Sequence, residues 1–101
     1  MEELRTYVLY DIEDDRIRNR VAETCKDYGL ARIQYSAFSG LLNRNKRSEL
    51  FVRLSVALGE KPGKILVLPV CEKDAKEGRQ IKNEPKEEDA GGEGGDPASG
   101  E

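Results

Sequence analysis

Asp11 closes an apolar run, Tyr7-Val8-Leu9-Tyr10, and begins a group of four acids, Asp11, Glu13, Asp14 and Asp15, set just ahead of Arg16, Arg18 and Arg20. Carboxylates in this position suit a hard cation such as Mg²⁺, and guanidinium groups suit phosphate. Acids before a helix are also its ordinary cap and dipole partners, and arginines on a helix also make an ordinary solvated face. Asp11 differs from the other three acids because it stands at a strand end, where two copies across a two-fold axis would present two carboxylates to one Mg²⁺ with its waters retained. Arg18 and Arg20, two positions apart, do not share a helix face. Arg32 and Gln34, on the polar side of the second strand, fit phosphate contact or the lining of a wet sheet face.

What is missing excludes much else. The chain has no His, so no Ser-His-Asp or Cys-His nucleophile pair, imidazole base or His metal ligand exists. Cys25 and Cys71 lie 46 positions apart without a C-x-x-C spacing, which argues against a zinc site or a dithiol redox pair. Each falls in an apolar-periodic segment, and both are expected as reduced core thiols.

The elements that must position these groups follow from periodicity. Leu4 to Asp11 is β-rich and reads as a buried strand. Asp14 and Asp15 can cap a helix whose apolar stripe is Ile17, Val21, Ala22, Cys25 and Tyr28, with Gly29 as the left-handed residue after its end. Ala31 to Phe38 alternates as one strand, with Ile33, Tyr35 and Ala37 on one face and Arg32, Gln34, Ser36 and Phe38 on the other. Ser39-Gly40 reads as a break, with Leu41-Leu42 as a short further strand. Asn43 or Asn45 can cap a second helix from about Lys46 to Leu58, its stripe being Leu50, Phe51, Leu54, Ala57 and Leu58, ended by Gly59. Lys61-Pro62-Gly63 is a turn, and Ile65 to Cys71 is another apolar strand, which Pro69 puts at a sheet edge or whose pairing it ends. Arg79 to Asn83 is a candidate terminal strand. This order predicts an α+β, ferredoxin-like βαββαβ domain, with an antiparallel sheet and two helices on one face.

The chain has 101 residues and a net charge of −3. Six acids and one base put −5 on residues 85–101, leaving +2 on the body. That stretch is rich in Gly and nearly devoid of apolar residues, so it is expected to be a disordered acidic tail behind a domain spanning residues 1–84. The N-terminus has no signal-like apolar region, and no run of about 18 apolar residues exists, so a cytoplasmic protein without a membrane is expected. Because helices cover one sheet face while Tyr7 to Tyr10 and Ile65 to Val70 are apolar on both, the second face needs a cover. A homodimer joined through the sheets is the economical one.

Y-D-I-x-D-D at Tyr10 to Asp15, R-N-R-V-A-E at Arg18 to Glu23, and Y-G-L-x-R-I-Q-Y-S-x-F-x-G at Tyr28 to Gly40 resemble the CRISPR-associated protein 2 family. I-L-V-L-P-V at Ile65 to Val70 fits that family's last core strand. The resemblance implies a ferredoxin-like homodimer, a Mg²⁺ or Mn²⁺ site on Asp11, and nuclease activity on RNA or double-stranded DNA. It also implies a partnership with the CRISPR-associated integrase in spacer acquisition. By the same resemblance Asp11 is the metal ligand, Tyr10 joins it as a catalytic candidate, and Arg18, Arg20, Arg32 and Phe38 are candidates for nucleic-acid contact. Arg79 to Asn83 is more polar than the family's terminal strand. Two functions therefore stand side by side: a metal-dependent endonuclease, and a noncatalytic DNA-binding scaffold that bridges integrase dimers.

Overall fold

The apolar run that ends at Asp11 is a strand, β1 (Glu3–Asp11), in a computed structural model that describes residues 2–85. Its alternation splits it cleanly: Thr6, Val8 and Tyr10 are buried, while Asp11 and Leu9 are exposed. Asp14 then caps α1 (Asp15–Asp27), its carboxylate accepting a hydrogen bond from the Ile17 N–H at 3.0 Å. Asp15 takes the first turn, where the positive end of the helix dipole favours a carboxylate. Gly29, at φ 81, follows the end as expected.

The chain continues through β2 (Ala31–Gln34), β3 (Ala37–Asn43), α2 (Arg44–Leu58), β4 (Lys64–Val70) and α3 (Glu72–Lys76). The sheet order is β2-β3-β1-β4 with every neighbouring pair antiparallel, which is the expected ferredoxin-like arrangement. Val8 of β1, Val21 and Cys25 of α1, Phe38 of β3, and Leu50 and Leu54 of α2 make the centre of the core between sheet and helices. Each large aliphatic side chain buried there contributes about 1.5–3 kcal/mol. Pro69 does lie on an edge strand, since among the described residues β4 has only β1 as a neighbour, and Pro69 still faces Thr6 in that pairing.

Several elements depart from the sequence pattern. The single strand expected over Ala31 to Phe38 is a hairpin: Tyr35 and Ser36 turn the chain, and Arg32 pairs with Phe38 across it rather than following it along one strand. Ser39 and Gly40 do not break the chain but lie within β3, where Gly40 is needed for close approach. A Cβ there would stand 2.6 Å from Leu30 Cδ2. Asn43 caps α2, accepting from the Lys46 N–H at 2.8 Å, so the helix begins two residues before Lys46. Phe51 is 54% exposed and leaves the core stripe, being turned about 100° around the helix from Leu50.

Beyond β4, the short α3 replaces the expected continuation, and residues 79–83 form no strand. Arg79 and Gln80 instead line, with Arg5, Tyr7 and Ser39, a cavity of about 510 Å³ over the second sheet face. Part of that face is thus covered by the chain itself. Cys25 is buried as expected, but Cys71 is exposed, because it caps α3 at the surface instead of ending a core strand. The expected acidic tail lies, from residue 86 on, outside the described residues. Among the described residues no helix is long and apolar enough to cross a membrane.

Candidate functional site

The four acids at the end of β1 divide between structural and free roles. Asp14 is the α1 cap, and the hydrogen bond from the Ile17 backbone holds its carboxyl below the usual range. Asp15 is paired with Arg18. Neither Asp11 nor Glu13 has a side-chain hydrogen bond or ion pair among the described residues. Asp11 pairs in register with Lys64, the first residue of β4, and both line a cavity of about 590 Å³ with Glu13, Asp14 and Lys61. Two lysines therefore stand beside the carboxylates. Sequence reading overlooked them, although Lys64 could have been placed there by running the antiparallel β1–β4 register outward.

Arg18 is heavily engaged. Its Nη1 donates to the carbonyls of Ile12 at 3.1 Å and Glu13 at 2.9 Å, while its Nη2 donates to Asp15. Its guanidinium also lies 5.6 Å from the centroid of the Tyr35 ring. Partial desolvation acts to lower its pKa, but Asp15 and Tyr35 outweigh this and raise it. Arg18 thus clamps the β1–α1 connection to the β2–β3 turn. Arg20, by contrast, is exposed on α1 and makes no ion pair among the described residues.

Tyr10 and Phe38 occupy the helix-covered face of the sheet. Their rings stack with centroids 6.4 Å apart and planes 20° apart. Arg32 lies over Phe38 at 4.9 Å and donates to the Tyr35 carbonyl. Burial raises the Tyr10 hydroxyl pKa, opposed by Arg32. The six residues singled out from sequence consequently form three groups: Asp11 at the open end of β1, Arg18 and Arg20 on α1, and Tyr10, Phe38 and Arg32 packed as one cluster.

Among the described residues no group of three or more acids or thiols converges on a point where it could hold a metal. One chain brings Asp11 to the strand end with Glu13 and Asp14 near. Mg²⁺ is commonly held through only one or two carboxylates with waters completing its shell, so a hard oxygen donor at an open position fits that ion.

Residues 4–77 match the family described as CRISPR associated protein Cas2. A relative from Desulforudis audaxviator, named a CRISPR-associated endoribonuclease Cas2, is 47% identical over 78 residues, which cover 77% of this chain and 74% of the relative. A protein from Thermoproteus tenax named a CRISPR-associated endonuclease Cas1/endonuclease Cas2 fusion is 45% identical over 51 residues, covering 50% of this chain and 19% of the fusion. Among solved structures, one described as the crystal structure of cas2 superposes with a TM-score of 0.67 at 26% identity, covering 84% of this chain and 92% of that one. With residues 4–77 matched by the family and 77% of the chain matched by a relative at 47% identity, the chain belongs to the CRISPR associated protein Cas2 family.

Proposed function

We propose that the protein is a CRISPR-associated, metal-dependent endonuclease that hydrolyses RNA or double-stranded DNA, acting as a homodimer in spacer acquisition with the CRISPR-associated integrase. The observation that carries this reading is the joint position of Asp11 and an apolar patch. Leu9, Leu66 and Leu68 stand 38%, 53% and 43% exposed on the sheet face opposite the helices, and the Asp11–Lys64 pair is the next step of the same ladder row. A self-complementary contact through that patch brings two Asp11 carboxylates toward one another. Mg²⁺ or Mn²⁺ bound there supplies activation of water and neutralisation of charge on the phosphate.

The chain's own residues supply the rest. Asp11 from each protomer would hold the cation. Lys61 and Lys64 draw the phosphate to the cavity, and exposed Arg20 adds a backbone contact. Arg18 keeps the strand end and the helix start in fixed relation by holding the Ile12 and Glu13 carbonyls. Tyr10 and Phe38 seat Arg32, which holds the hairpin turn at the Tyr35 carbonyl.

A second reading, a noncatalytic DNA-binding scaffold that bridges integrase dimers, is favoured by the sparse set of chemical groups and by the relative named as a Cas1/Cas2 fusion. Spacer acquisition in cells carrying Asp11→Ala separates the two. An endonuclease role predicts loss of acquisition while the complex with the integrase persists. Undiminished acquisition supports the scaffold.

A further inference from the structure

The most exposed aromatic ring of the domain sits beside the Asp11 strand end, and it is held there from several directions. Tyr35 is 72% exposed, against 54% for Phe51, the next most exposed aromatic. The β1–β3 ladder pairs Leu9 with Ala37, and the Tyr10 N–H carries it one step further by donating to the Ser36 carbonyl at 3.0 Å. The next residues along are Asp11 and Tyr35, so the ring is anchored by backbone at the same end of the sheet as the candidate carboxylate. Arg32 holds the Tyr35 carbonyl, and Arg18 covers part of the ring at 5.6 Å from its centroid.

Apart from the Arg18 guanidinium on part of its surface, the ring takes no part in the packing of the core. A tyrosine that served only the core would bury its ring, as Tyr10 does at 7% exposure. A turn needing only to reverse the chain has no use for a large aromatic, for which Gly, Asn or Asp is the usual choice. What remains is a rigid π surface, backed by a guanidinium, facing solvent next to a group that suits phosphate chemistry. Such a surface binds a nucleobase whose face is free, and a base inside a duplex does not offer one.

We propose that Tyr35 is a stacking platform for an unpaired nucleobase, which sets the backbone of a bound strand beside Asp11. The proposal rests on the nuclease function above and adds a positioning residue to it. Tyr35 acts as a binding and positioning residue, with no part in the chemical step.

The test compares the full-length chain bearing Asp11→Asn alone with the same chain also bearing Tyr35→Ala or Tyr35→Phe. The probe is a short oligoribonucleotide carrying a fluorescent adenine analogue, offered unpaired and as a duplex at several salt concentrations. Tyr35→Ala should weaken binding of the unpaired probe about tenfold and abolish quenching of the analogue, while leaving duplex binding unchanged. Tyr35→Phe should retain both affinity and quenching. Stacking releases no counterions, so the loss should be the same factor at every salt concentration. Equal affinity of the Tyr35→Ala chain for the unpaired probe would overturn the proposal, and so would an equal loss on the duplex. A shallower salt dependence would overturn it too, by showing that the ring acts through Arg18 on a phosphate. Because every chain here already lacks the Asp11 carboxylate, failure of the Asp11 chemistry would leave this result intact.

Discussion

Tyr10 and Asp11 are consecutive in the chain yet serve opposite faces of the sheet: the Tyr10 ring stacks on Phe38 beneath the helices, and Asp11 lines the open cavity with Lys64. Strand alternation enforces that division. The Tyr10 side chain supports the site from the helix side by packing against Phe38, over which Arg32 lies. Tyr10→Phe should therefore keep cleavage within about twofold, whereas Tyr10→Ala should cost about 3–5 kcal/mol of stability. Kinetic assay and chemical denaturation of both variants check this. A loss of activity in Tyr10→Phe without loss of stability would give the hydroxyl a chemical role.

Alkaline pH should destabilise the fold through the same buried region. Burial pushes the Cys25 thiol from 9.0 up to about 12, opposed only by Arg32, and burial also raises Tyr10. The unfolded chain therefore loses the thiol proton near 9.0, while the folded chain keeps it to about 12. Through that window the unfolded state binds fewer protons, so stability falls as pH rises, by at most about 1.4 kcal/mol per pH unit. Melting temperature should drop between about pH 9 and pH 11, and the drop should be smaller in Cys25→Ala, whatever its lower starting stability. Parallel slopes for the two proteins would exclude the thiol as the cause.

The two α1 arginines should separate in DNA titrations. Arg20 makes no ion pair among the described residues, and the proposed dimer would present it twice, so Arg20→Ala should make the slope of log K against log salt shallower by roughly 2. Arg18 is committed to two carbonyls and Asp15, so Arg18→Ala should lower the melting temperature and change the slope less. Identical slope changes for the two would show that Arg18 leaves its clamp to bind phosphate.

Sequence periodicity was informative wherever an element had one strongly apolar face, and it failed where a change of direction carried no usual marker. The β1 and α1 segments were legible because Val8, Ile17, Val21 and Cys25 repeat at strand and helix spacing. The hairpin was not, because Gln34-Tyr35-Ser36 turns without Gly or Pro and the alternation runs straight across it. Gly40, which resembled a breaker, answers to Leu30 packing against it, a tertiary constraint invisible in local pattern. The helix α3 has only five residues and no buried one, so no apolar stripe announced it. At the site, Asp11 stood out by its strand-end position, while the commitment of Arg18 to backbone carbonyls depended on the shape of the loop.

The apolar sheet face gives a prediction of assembly. Light scattering at micromolar concentration should return twice the 11.3 kDa chain mass. Leu68→Asp, which puts a charge into a patch that must be desolvated, should shift the protein to monomer without unfolding it. A monomer in the unaltered protein would remove the pairing of Asp11 carboxylates.

Cleavage by the unaltered protein and by Asp11→Asn, purified side by side, bears most directly on the account. Activity should vanish in EDTA and return with Mg²⁺ or Mn²⁺. The Asn variant, which keeps the shape of the side chain but loses the ligand charge, should be slower by about 100-fold or more with an unchanged melting temperature. Equal cleavage by the two proteins would contradict the assignment of the metal site to Asp11.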